Sequence, residues 1–234
     1  MGNLLTSTIG RKLIMSVSGL FLVLFLLFHM SMNLAAVFST EAYNAICEFL
    51  GANWYALAGT LILAAGVVVH LVYATVLTLH NRSSRGSQRY AMTAEPEGVT
   101  WASRNMYVLG IIIVLGLLLH LYNFWYNMQF AEIIGNHELG PFPPADGAAY
   151  IAALFSSPVY CIIYLVWFAA IWFHLTHGFW SAFHTIGWDN QTWLPRLKRI
   201  ANVVATIVFL CFALVVIVFY LRSLGVCGGS GAGF

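Results

Sequence analysis

Five stretches of this chain contain no Asp, Glu, Lys or Arg: residues 13–40, 49–81, 105–131, 147–188 and 200–221. Each can hold a helix of about 20 residues, enough to cross a hydrocarbon core about 30 Å thick. A charge at the bilayer centre costs about 2.5–3.5 kcal/mol, so a chain that clears five such windows is shaped by lipid. Of its 234 residues, 61% are hydrophobic and 8% are charged, against about a quarter charged in ordinary globular domains. That excludes an ordinary soluble domain, a disordered chain and a nucleic-acid binder. The expected fold is an all-α integral membrane bundle of five transmembrane helices, near 13–36, 54–79, 105–129, 155–184 and 200–221. The fourth gap is long enough to hold a further tilted or interfacial piece.

The few charges orient the bundle. Alternate loops carry Arg11 and Lys12, then Arg82, Arg85, Arg89 and Arg104, then Arg196, Lys198 and Arg199. The opposite side carries Glu41, Glu48, Glu132, Glu138 and Asp146, with Arg222 as its one basic residue. Basic residues mark the cytoplasmic side, which puts the N-terminus inside and the C-terminus outside. Interfacial aromatics fit: Trp54, Tyr55, Trp125 and Tyr126 outside, and Trp101, Trp188 and Trp193 inside. Arg11-Lys12 and the following apolar run resemble a signal peptide, but the run exceeds the usual apolar region of one, so it is read as the first helix. Residues 1–222 form one transmembrane domain, and the Gly-rich 223–234 is a loose tail.

Cys47, Cys161, Cys211 and Cys227 show no C-x-x-C spacing, which argues against a zinc or iron–sulfur site in this chain. Cys47 and Cys227 share the outer side, which leaves a disulfide open; the plain reading is four small apolar side chains.

The chemistry lies in the histidines, of which there are eight: His29, His70, His80, His120, His137, His174, His177 and His184. An ionisable side chain inside a membrane helix is a functional hypothesis by default, and here four of the five expected helices carry one. Helical rise places His29 roughly 7 Å and His120 roughly 5 Å to the outer side of their helix centres. It places His70 roughly 5 Å and His177 roughly 9 Å to the inner side. Two imidazoles per level, on different helices, are what a six-coordinate haem b needs, one axial nitrogen on each side of the iron. A covalent c-type haem would need C-x-x-C-H, and zinc would need more ligands at one level.

On helix four, His174, His177 and His184 share a stripe, and His174 competes with His177. His177 is preferred because Gly178 beside it leaves room for a flat ligand. Gly19 and Gly110 each precede a histidine by ten residues, and Gly66 and Gly116 precede one by four; small residues let a macrocycle approach, although they also serve ordinary helix packing. His80 and His184 are expected near the inner surface, and His137 in an outer loop.

Two haems about 13 Å apart along the membrane normal would form an electron wire. The chain has no flavin, nucleotide or iron–sulfur motif, so a redox partner must dock, most naturally on the inner basic loops. The second partner is most simply a quinone, whose two-electron chemistry also moves protons and calls for a nearby acid. Glu48, just before helix two, is the candidate.

Gly19-Leu20-Phe21-Leu22 leading to Phe28-His29-Met30, then His70, His120-Leu121-Tyr122 and His177-Gly178, with Gly187-Trp188-Asp189 after helix four, resemble the dihaem cytochrome b membrane anchor of succinate dehydrogenase/fumarate reductase. The similarity is to the B-type anchor, which carries five membrane helices in one chain. The resemblance implies that His29 and His120 bind an outer haem b and His70 and His177 an inner one. It also implies a place in respiratory complex II in a prokaryotic cytoplasmic membrane. The implied partners are an FAD-bearing flavoprotein subunit that interconverts succinate and fumarate and an iron–sulfur subunit, with menaquinone as substrate. The family's acidic residue in the first outer loop matches Glu48 most nearly. The family also has a membrane glutamate two residues before the helix-four histidine, where this chain has Leu175. The expectation is therefore electrogenic transfer or an inner quinone site. Two other readings compete: the cytochrome b subunit of a hydrogenase, formate dehydrogenase or nitrate reductase, and, in another class, a His-lined transporter or haem-free structural anchor.

Overall fold

The structure, a computed structural model, describes residues 7–84, 100–188 and 190–226. It is all-α, with no strand among the described residues, and five of its helical segments are long and apolar enough to span a membrane. Arg85, Arg89, Asp189 and Cys227 lie outside the described residues, and with them part of the inner basic loop and the Cys47–Cys227 pairing.

The first span, α1 (Thr8–Phe38), starts where Ser7 accepts the Gly10 amide at 3.1 Å, a serine N-cap. Ser39 ends it and in turn caps α2 (Thr40–Phe49) by accepting the Ala42 amide at 3.1 Å. One extended residue thus turns the chain from a spanning helix into an amphipathic one on the acidic end of the bundle. The second span, α3 (Trp54–Ser84), buries no residue fully; its apolar side chains, among them Leu61, Ile62 and Val68, face outward for lipid.

The third span begins with the short α4 (Trp101–Arg104) and α5 (Met106–His120). Immediately after His120 the chain winds into a π-helix, Leu121–Phe130, before α6 (Ala131–Ile133) ends it. The wider π turn brings residues four apart nearly into line, and Tyr122, Tyr126 and Phe130 stack in a ladder with ring spacings of 6.0 and 5.4 Å. Asn127 adds a side-chain bond to the Tyr122 carbonyl at 3.0 Å. π-helical segments are rare and cluster at functional sites.

The fourth charge-free gap does hold a second piece. Asp146 accepts the Ala149 amide and starts α7 (Gly147–Phe155), and α8 (Pro158–Thr185) is a separate helix. Pro158 lacks an amide hydrogen and fits only a first turn, so the span begins there rather than at residue 155. The fifth span, α9 (Trp193–Ser223), starts before the charge-free window. Its first turns carry Arg196 over the Trp193 ring at 5.4 Å and Lys198 over the Trp180 ring at 4.7 Å, so basic heads sit on aromatic faces at the interface while their stems cover apolar surface.

The core lies between α8 and α9, with α1 packed across both and against α3. Fully buried Ala201 and Ala205 on α9 and nearly buried Ala170 and Ala182 on α8 allow close approach, which is how helices associate where lipid removes the hydrophobic drive. Arg222, the basic residue on the acidic end, donates to the Val37 carbonyl at 2.7 Å and the Ala36 carbonyl at 3.4 Å. A cation there caps the carbonyl end of α1, a structural reason for its place on that side.

Candidate functional site

The structure brings four histidine rings together as two pairs, each joining two spans. His29 of α1 faces His120 of α5, with ring centroids 5.7 Å apart and planes at 87°. His70 of α3 faces His174 of α8, with centroids 6.4 Å apart and planes at 66°. The ring opposite His70 is thus His174, one helical turn before the His177 preferred from sequence. His177 instead lies edge-on to Trp180 at 5.0 Å, in the α8–α9 aromatic cluster that includes Lys198. Three residues leave the two side chains about 60° apart around the helix, and His174 is the one that meets the α3 ring.

The pairs sit at different depths. A Cβ added to Gly19 would meet His70 Cε1 at 3.2 Å, so the Gly19 level of α1 is the level of His70. Ten residues separate Gly19 from His29, or about 15 Å along the helix. The ten-residue spacing that suggests room for a macrocycle beside His29 therefore marks the distance between the two sites.

Aromatic side chains surround the outer pair. Phe25 stacks on His29 at 5.4 Å and Phe212 of α9 approaches it at 6.0 Å; His120 touches Phe124, Trp167 and Tyr164 at 5.1, 5.6 and 6.3 Å. Trp167 is fixed by donating its indole N–H to the Ile113 carbonyl at 3.0 Å and fills the notch left by Gly116. Gly66 is likewise covered, by the Phe21 ring. These two glycines admit aromatic side chains of the chain itself, while Gly110 has nothing within 4 Å of an added Cβ.

Two of the rings have polar support from α1. Asn33 donates to the His29 carbonyl at 2.8 Å and lies 3.3–3.4 Å from both ring nitrogens. The buried Tyr43 of α2 donates to Asn33 Oδ1 at 3.1 Å, and burial, then Cys47, hold its phenol well above the usual range. Ser18 lies 3.3 Å from His70 Nδ1. The facing rings are different: Nδ1 of His120 and Nδ1 of His174 are buried without a hydrogen-bond partner, as is Nδ1 of His177. A buried unpaired polar atom costs about 1–3 kcal/mol and calls for an explanation.

These atoms include Nδ1 of His177, which belongs to neither pair, so the case for a metal rests on the ring spacing. Imidazole nitrogens bind first-row metals at about 2 Å, which puts the centroids of two axial rings roughly 6 Å apart. Both pairs lie in that range, so the donor sets fit a haem iron held by two histidines. No group of three or more His, Cys, Asp or Glu comes together among the described residues, so neither pair is completed into a three-ligand site.

Glu48 is exposed on α2. Beside it in sequence, Ile46, Phe49 and Leu50 line an apolar groove with Phe28 and Met32 of α1. The fold draws in Glu132, whose Oε2 accepts the Ala52 amide at 2.7 Å and holds the α2–α3 turn, and Asp146, which accepts from Asn44 Nδ2 at 2.7 Å. Cys47 is a free thiol, and burial pushes it up to about 11. Two residues before His174 stands Trp172, which donates to Thr206 Oγ1 at 3.0 Å; as at Leu175, there is no carboxylate. His137 is exposed at the acidic end. Ser18, Asn33, Tyr43 and Trp167 were not singled out by sequence reasoning, though Asn33 follows His29 by one helical turn and Ser18-Gly19 interrupts an apolar run. Comparison with protein families, curated proteins and solved structures finds no match for the chain.

Proposed function

We propose that this membrane bundle is the dihaem cytochrome b anchor of a succinate:menaquinone oxidoreductase, the electron-transferring subunit of a complex II in a prokaryotic cytoplasmic membrane. The observation that carries the reading is the double pairing of histidines from separate spans at two depths, at spacings suited to one metal each. His29 and His120 hold the outer haem b. His70 holds the inner one with His174, which replaces His177 as the fourth ligand. Each haem, when bound, supplies a one-electron carrier.

The chain's own residues do the rest. The aromatic collar of Phe25, Phe124, Trp167 and Phe212 keeps water from the outer pair. Arg196, Lys198 and Arg199, with Arg82 and Arg104, give the basic end the charge to dock an iron–sulfur subunit, which in turn meets the FAD-bearing flavoprotein. Glu48, beside the groove of Phe28, Met32 and Phe49, is the acid offered for proton exchange with menaquinone.

A reduced-minus-oxidised visible spectrum of the purified chain tests the reading: two b-type components per chain are expected, and a colourless but assembled protein overturns it. Succinate-driven reduction of a menaquinone analogue by the isolated complex separates it from hydrogenase, formate dehydrogenase or nitrate reductase anchors. Glu48→Gln should slow that reduction and leave the haem spectrum intact.

A further inference from the structure

Ser16 and Ser18 are buried serines in the first half of the apolar span α1. Ser18 donates its hydroxyl to the Met15 carbonyl at 3.1 Å. A serine has one proton to give. With that proton on the Met15 carbonyl, the Ser18 oxygen 3.3 Å from His70 Nδ1 can only accept, which calls for Nδ1–H as the donor. Neutral imidazole carries a single N–H, so Nε2 of His70 keeps the lone pair. Gly19, the next residue, leaves its contact with the ring edge at Cε1 too tight for a side chain larger than hydrogen without movement. Ser18 thus sets the tautomer, and Gly19 limits where the ring can sit. His174 across the pair has no such partner for its Nδ1.

We propose that Ser18 is a positioning residue for the inner haem. It holds His70 in the Nδ1–H tautomer, presents Nε2 to the iron and makes His70 the more basic of the two axial ligands. This rests on the dihaem reading above. A hydrogen bond from the distant ring nitrogen to an oxygen raises ligand basicity, and ligand donation and hydrogen bonding tune the potential of a haem. A more basic ligand favours the oxidised iron, so Ser18 holds the inner potential down.

The isosteric pair Ser18→Thr and Ser18→Val isolates the hydroxyl. The measurement is a potentiometric titration of the b-type absorption in the whole complex in its membrane, with the inner component identified as the one lost in His70→Ala. Ser18→Thr should keep the parental potential. Ser18→Val should raise the reduced-to-oxidised ratio of the inner component about threefold at a fixed poise, or about 30 mV at 59 mV per tenfold for one electron. The outer component should not move. Loss of the inner component in Ser18→Val with retention in Ser18→Thr also supports the proposal, because the two side chains differ only in the hydroxyl. Identical behaviour of the two variants, or a shift of the outer component instead, overturns it. In that case two b-type components in the parent leave the dihaem reading standing. A parent without b-type absorption overturns both.

Discussion

The two histidine pairs are held by different means. The outer pair is wedged by packing: rings from α1, the third span, α8 and α9 close around it, and Trp167 is pinned by a backbone carbonyl. The inner pair relies on a ring from α3, the span that buries no residue of its own, and that ring is steadied by a hydroxyl and a glycine of α1. One helix therefore serves both pairs, giving a ring to the first and support to the second. The difference teaches where each site is vulnerable. Aromatic volume matters at the outer pair, while atomic detail along one face of α1 matters at the inner.

The largest effect is expected from removing a ring. His120→Ala or His29→Ala should take away the outer haem and leave the inner, halving haem per chain; His70→Ala or His174→Ala should do the reverse. His177→Ala should retain both, because its ring lies edge-on to Trp180 and the ring facing His70 is that of His174. Haem content and spectra of the purified variants decide. Selective loss of the inner haem in His177→Ala, with His174→Ala silent, would break the pairing that underlies the comparison.

A second test sharpens the packing side. A Cβ at Gly116 collides with the Trp167 indole, while one at Gly110, on the same helix, meets nothing. Gly116→Ala must evict Trp167 from its bond to Ile113 or shift α5 from α8. Overpacking of this kind costs about 1–3 kcal/mol. Gly110→Ala should gain a few tenths to about 1 kcal/mol from helix propensity alone. Thermal unfolding in detergent should separate the two variants, and equal midpoints would mean that the outer site is not packing-limited.

Much of this was legible in the sequence, and the gaps have physical causes. The five spans follow from charge exclusion, which acts on every residue of a window at once. The helix–helix pairing of His29 with His120 was legible from depth, since helical rise is fixed. The choice between His174 and His177 was not: both lie on one stripe, and which of them meets α3 depends on how α8 is rotated by its packing on α9. An added Cβ at Gly178 meets both Met106 and the His174 ring, so that glycine does not single out His177. Gly66 and Gly116 look from sequence like space for a ligand, yet Phe21 and Trp167 occupy it, and such long-range contacts leave no local trace. Amphipathic α2, the π-helical turn and the capping of α1 by Arg222 likewise need partners distant in sequence.

A smaller effect is expected along the polar thread from α2 to the outer pair. Tyr43→Phe removes the donor to Asn33 Oδ1 at 3.1 Å and should cost about 0.5–1.5 kcal/mol. The pH dependence has a definite sign. Burial raises the Tyr43 phenol above its ordinary 10.0 in the folded chain, so the neutral donor is favoured there. Its contribution is complete below pH 10 and is lost as pH climbs from there through the folded value. The gap between parent and Tyr43→Phe in denaturation midpoint should be flat from neutral pH to about 10. A gap that closes near neutral pH would mean that Tyr43 does not hold Asn33.

The smallest stability change is expected at the inner site, where it is also the most informative. Gly19→Ala sets a methyl group 3.2 Å from His70 Cε1, which asks the ring to yield by a few tenths of an ångström. Replacing a mid-helix glycine by alanine returns about 0.5–1 kcal/mol, which offsets the strain, so the unfolding midpoint should scarcely move. The ring does move, and its bond to Ser18 at 3.3 Å is long enough to break with it. The inner haem should then shift in potential in the direction of Ser18→Val while the outer haem and the stability stay put. An inner site governed by packing, as the outer one is, would instead lose stability in Gly19→Ala and keep its potential.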